Sequence, residues 1–89
     1  MSNFANEYET GPRSTETFLR ICIGENVHRL RVDQDLNKKT FAKIAGISRP
    51  LLNKIERGEA DLRMSYIIRI ADVLSVTPVD LITDHKKRE

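Results

Sequence analysis

Cysteine is nearly absent from the chain. The single Cys22 among 89 residues excludes an internal disulfide and a multi-cysteine metal site, and it fits a reducing compartment. Set in the apolar run Phe18 to Ile23, it reads as a small buried hydrophobe rather than a catalytic thiol. Tryptophan is missing, and with only two Tyr and three Phe the core must be mainly aliphatic. No apolar stretch approaches the roughly 20 residues that a membrane helix needs, and the N-terminus lacks a charged-then-apolar leader pattern. A cytoplasmic protein without a membrane partner is expected. The glycines Gly11, Gly24, Gly46 and Gly58 are isolated and form no nucleotide-binding loop. His28 and His85 have no ligand partner at a metal spacing, and His28 reads as an ordinary helix-surface residue. No nucleophile with its base and no catalytic carboxylate pair assembles, so the expectation is a non-enzyme without metal or cofactor.

With 39% hydrophobic and 31% charged residues, the composition is that of a small globular protein with one core. Net charge is only +2, but its distribution is uneven. From Leu36 to Arg57, Lys38, Lys39, Lys43, Arg49, Lys54 and Arg57 face one acid, Glu56, giving +5. The first sixteen residues carry Glu7, Glu9 and Glu16 against Arg13, giving −2. Positive charge gathered in one short segment is the footprint of a surface that faces phosphates, although a merely solvated helical face would give the same count.

Residues 1–14 show neither helical nor strand periodicity and read as a flexible arm; residues 15–84 form the domain, and 85–89 a charged tail. Leu19, Ile21 and Ile23 alternate as in a strand, but Leu19, Ile23, Val27 and Leu30 recur over a longer span at helical spacing, so a first helix is expected, ending at Asp33 or Gln34. Asn37 can cap a helix over Lys38 to Ala45, which Gly46 ends by offering a left-handed conformation at low cost. Ser48 caps the next helix, Pro50 is tolerated in its first turn, and Gly58 stops it. Met64, Ile67, Ile68, Ala71 and Leu74 make an apolar stripe for a fourth helix from about Met64 to Leu74. Thr77, Pro78 and Asp80 read as cap, first and third positions of a short fifth helix.

Gly46-Ile47-Ser48 is too short a connection to do anything except turn sharply, as a helix-turn-helix requires. Ala42 is small where the two helices approach, Gly46 makes the turn, and Leu52 and Ile55 plug the core. On these residues the chain resembles the helix-turn-helix regulators of the phage lambda-repressor and Cro type, the Xre family. The similarity runs from Ile23 to Ile82: IGENVHRLR (23–31) resembles the family's first helix, LNKKTFAKIAGISRPLLNKIERG (36–58) its helix-turn-helix, and IIRIADVLSVTPVDLI (67–82) its closing helices.

The resemblance implies an all-α, five-helix lambda-repressor-like domain that places its third helix in the major groove of double-stranded DNA, with Arg49, Pro50, Asn53 and Lys54 facing base edges. Arg and Lys suit guanine and Asn suits adenine, whereas Pro50 has no donor and either touches a thymine methyl or only starts the helix. Leu51, where a polar residue is usual, either packs or contacts DNA. Asn37, Lys38, Lys39, Ser48 and Arg63 fall at positions that grip phosphate, Asn37 serving equally as a cap. Arg31 and Glu56 match a partly buried ion pair that joins the first and third helices. Operator-level affinity calls for a homodimer on a pseudo-palindrome. Val76, Val79, Leu81 and Ile82 offer apolar surface for it, or else close the core. The resemblance further implies a bacterial or phage-encoded protein. It leaves open a stand-alone regulator, restriction–modification controllers among them, an antitoxin with a toxin partner, or an interaction module on the same fold.

Overall fold

The computed structural model describes the backbone of residues 4–85 and the side chains of residues 15–85. Five helices follow one another, α1 (Phe4–Asp33), α2 (Lys38–Ala45), α3 (Arg49–Glu56), α4 (Met64–Leu74) and α5 (Pro78–Ile82), and no strand occurs among the described residues. The strand alternation at Leu19 to Ile23 is therefore resolved in favour of helix.

α1 extends N-terminally to Phe4, through a stretch that the sequence pattern assigns to an irregular arm. Once a helix is nucleated each further residue adds one hydrogen bond, so the backbone can continue without the apolar stripe that packing demands. Met1 to Asn3, and Lys86 to Glu89 of the expected tail, lie outside the described residues.

The inward face of α1 carries Cys22, Ile23 and Val27, with Leu30 half-buried. Val27, Phe41, Leu52, Ile55, Ile70, Leu74 and Leu81 are enclosed completely, so each helix contributes to one core in which Phe41 is the aromatic member. Gly24 lowers the helix propensity of α1, yet a side chain could not replace it. A Cβ there would overlap the Ile55 carbonyl oxygen and lie 3.1 Å from Gly58 N and 3.2 Å from Glu56 O, because the end of α3 rests directly on the α1 backbone.

Local chemistry sets the other boundaries. Asn37 accepts from Thr40 N at 2.8 Å at the start of α2. Gly46 ends that helix in the left-handed region at φ 72°. Thr77 and Asp80 form a reciprocal capping box at α5, with bonds of 3.2 and 3.1 Å. Asn26, buried on α1, fastens the end of α5 by donating through Nδ2 to the carbonyls of Leu81 at 2.7 Å and Thr83 at 2.8 Å. Gln34 Nε2 donates to Leu74 O at 2.8 Å, satisfying a carbonyl at the end of α4.

Docking of α5 on α1 corrects one expectation about the dimer surface. Leu81 is 0% exposed within the single chain and belongs to the core, so it has no surface left for a second copy. Val76 also packs partly against the core, whereas Val79 and Ile82 remain 63% and 41% exposed.

Candidate nucleic-acid interface

The turn between α2 and α3 is built by backbone bonds. Gly46 N–H donates to Ala42 O and Lys43 O, and Ile47 N–H reaches back to Ala42 O at 3.0 Å while its half-buried side chain packs on the core. This is the six-to-one bond of a glycine-ended helix, and it redirects the chain within three residues. Ser48 is extended (φ −81°, ψ 157°) and its Oγ accepts from Leu51 N at 3.1 Å. Pro50 falls in the first turn of α3, where its missing N–H removes no intrahelical bond.

α3 is thereby held with Leu52 and Ile55 buried and with Arg49, Pro50 and Lys54 exposed on the other side. Leu51 is half-buried and packs partly against the core, which accounts for an apolar residue at that position. Asn53, expected to face a base edge, does not present its whole carboxamide outward. Its Oδ1 is buried and has no hydrogen-bond partner among the described residues. Bidentate pairing with adenine needs both amide heavy atoms presented outward, so the Asn53 side chain must rotate before it can read a base in that way.

The groups expected at phosphates also fall at the surface. Asn37, Lys39, Ser48 and Arg63 are exposed and Lys38 is half-exposed. At the start of α2 the Asn37 cap takes the Thr40 N–H, while the N–H groups of Lys38 and Lys39 belong to the first turn, which has no intrahelical acceptor. Two lysines and the positive end of a helix thus coincide, an arrangement suited to an anion. Arg63 is the residue before α4 and makes no capping bond through its side chain. Acids in the preceding loop are answered locally: Arg57 Nε lies 3.1 Å from Glu59 Oε1, and Arg20 Nη2 lies 3.8 Å from Asp61 Oδ2.

Glu56, the last residue of α3, is joined to α1 by a two-point ion pair. Arg31 Nε donates to Oε2 at 2.7 Å and Nη2 to Oε1 at 3.1 Å, and the two side chains are only 9% and 7% exposed. Arg31 Nη1 also donates to Leu36 O at 2.8 Å, so the same guanidinium braces the chain entering α2. His28, which reads as an ordinary surface residue, instead places Nδ1 3.0 Å from Glu56 Oε1. It is 28 positions from Glu56 in sequence, and no motif signals the contact. Burial pushes the Glu56 carboxyl upward, but hydrogen bonds and charge from Arg31 and His28 outweigh it and hold the group below its ordinary value of 4.5.

A family model described as helix-turn-helix matches residues 27–81, which take in α2, the turn, α3 and the Arg31–Glu56 pair. The chain is 36% identical over 64 residues to the antitoxin PezA of Streptococcus pneumoniae, an alignment that covers 72% of this chain but 40% of that protein. It is 29% identical over 65 residues to the uncharacterized HTH-type transcriptional regulator y4dJ of Sinorhizobium fredii, covering 73% of this chain and 84% of that one. Among solved structures, the restriction-modification controller protein C.AhdI of Aeromonas hydrophila superposes with a TM-score of 0.66 at 26% identity, over 70% of this chain and 94% of that chain. The hypothetical transcription factor NHTF of Neisseria shares the fold, with a TM-score of 0.72 at 24% identity over 76% of this chain and 78% of its own.

Proposed function

Because the chain belongs to the helix-turn-helix family of non-enzymatic DNA-binding regulators, we propose that it binds a specific double-stranded operator through α3 and controls transcription from it. The observation that carries this reading is the exposed row Arg49, Pro50 and Lys54 on a short helix whose opposite face, Leu52 and Ile55, is locked into the core. An element fixed so firmly presents the same donors at each encounter, and Arg and Lys in the major groove discriminate guanine through O6 and N7. Asn37, Lys38, Lys39, Ser48 and Arg63 position the domain on the phosphates, while Asn53 joins the readers after its carboxamide turns outward.

The working form is a homodimer on a pseudo-palindrome, with Val79 and Ile82 of α5 as its apolar contact and Val76 at the edge. Likeness to a restriction-modification controller over nearly that protein's whole length favours a stand-alone regulator. Likeness to the antitoxin PezA supports a second reading, in which the same DNA contacts serve an antitoxin that also binds a toxin; this chain spans only 40% of that relative.

Titration of a selected duplex against rising salt tests the reading. Specific binding should weaken steeply as released counterions lose their advantage. Arg49→Ala should flatten discrimination at particular bases, whereas Lys38→Ala should weaken all sequences about equally and lower the salt slope by about one. Binding that is insensitive to both substitutions would overturn the assignment.

A further inference from the structure

Ile21, Gly24, His28 and Arg31 follow one another along α1 at spacings of three and four, and each meets the last turn of α3 or the residues just beyond it. Gly24 receives the carbonyls of Ile55 and Glu56, the Ile21 backbone abuts Gly58, and Arg31 and His28 converge on the Glu56 carboxylate. One track on α1 thus seats the end of α3.

We propose that His28 is a positioning residue for DNA recognition: by donating Nδ1–H to Glu56 Oε1 it fixes the carboxylate that Arg31 grips, and so the angle at which α3 presents Arg49 and Lys54. The inference rests on the DNA-binding reading above. Glu56 Oε1 is shared between His28 at 3.0 Å and Arg31 Nη2 at 3.1 Å, so loss of the imidazole frees one side of that oxygen. Arg31 Nη2 also lies 3.4 Å from His28 Nδ1, which gives the neutral ring two alternatives. With the proton on Nδ1 it donates to Glu56; with the proton on Nε2, Nδ1 becomes an acceptor that draws Arg31 and repels the carboxylate. The positioning role requires a proton on Nδ1, which the neutral Nδ1–H tautomer and the imidazolium both carry. His28 is 57% exposed and borders an open cleft of about 360 Å³, so its replacement leaves no cavity in the core.

Two measurements decide the matter. Long-range 15N NMR at the pH of the DNA-binding assay should show a proton on Nδ1 of His28 in the wild-type protein; an unprotonated Nδ1 would overturn the proposal without reference to DNA. His28→Ala, checked for folding by circular dichroism, should reduce the ratio of specific to random-duplex affinity roughly three- to tenfold. His28→Asn, whose Nδ2 takes the place of the ring's Nδ1 and can donate to the same oxygen, should restore most of it. An unchanged ratio in His28→Ala, beside a wild-type protein that does discriminate, would overturn the positioning role alone. A wild-type protein with no discrimination would instead remove the function on which that role depends.

Discussion

Glu56 is the acid on which the central segment turns, since it lies among six cations yet faces inward to Arg31 rather than outward to DNA. Truncating one partner of a buried pair leaves the other charge without compensation, so Glu56→Ala should cost about 3–5 kcal/mol of stability. Lys54→Ala, at an exposed position, should change the melting temperature little, and comparison of the two thermal transitions checks the assignment. The pH dependence has a definite sign. A carboxyl held below 4.5 in the folded state contributes stability fully above that value and loses it as pH falls through the folded pKa. The stability gap between wild type and Glu56→Gln should therefore narrow as pH is lowered from about 5 toward 3, and a gap of constant size would count against the pair. The Arg31–Glu56 pair was legible only through the family resemblance, and His28 was not legible at all. A contact between residues on different helices leaves no local periodicity. The buried Oδ1 of Asn53 was hidden for the same reason, because a rotamer depends on the surrounding packing rather than on the residue's place in a motif.

At the scale of elements, α2, α3 and α5 begin, and α2 ends, at positions marked by their own caps. Asn37, Ser48 and Thr77 bond backbone N–H groups three residues onward, and Gly46 adopts the left-handed conformation, all of which are local effects that a sequence exposes directly. α1 is different. Its Gly24 looks like a weak point until the end of α3 is laid against it. Gly24→Ala and Gly46→Ala should consequently fail for different reasons. At Gly24 the added methyl meets backbone carbonyl oxygens that cannot move alone, and the α1–α3 contact should open at a cost of about 1–3 kcal/mol or more. At Gly46 the nearest group is the end of the Arg69 side chain at 3.3 Å, which can shift, so the cost is that of the left-handed backbone, roughly 1–2 kcal/mol. Denaturant unfolding of both variants, with Gly24→Ala at least as damaging despite its ordinary helical backbone, would establish the close approach. Equal stability of Gly24→Ala and wild type would contradict it.

At the scale of the whole molecule, the helix-turn-helix is one face of a body whose other exposed apolar residues include Val79 and Ile82. Burial of Leu81 in the core leaves Val79 and Ile82 as the exposed apolar residues of α5, a distinction that the sequence pattern alone left open because either role fits each of them. Val79→Asp with Ile82→Asp should keep the fold, since both side chains are exposed, while abolishing a dimer seen by sedimentation velocity at micromolar concentration. A wild-type monomer both with and without operator DNA would contradict the dimer. No helix among the described residues is long and apolar enough to cross a membrane. Sequence-specific DNA recognition by α3 is the claim that the other inferences lead toward or depend on, and it is tested most directly by letting the purified full chain select from a random pool of double-stranded oligonucleotides. The account predicts an enriched motif with dyad symmetry, its half-sites about one helical turn, roughly 10 base pairs, apart; recovery of no enriched sequence would contradict it.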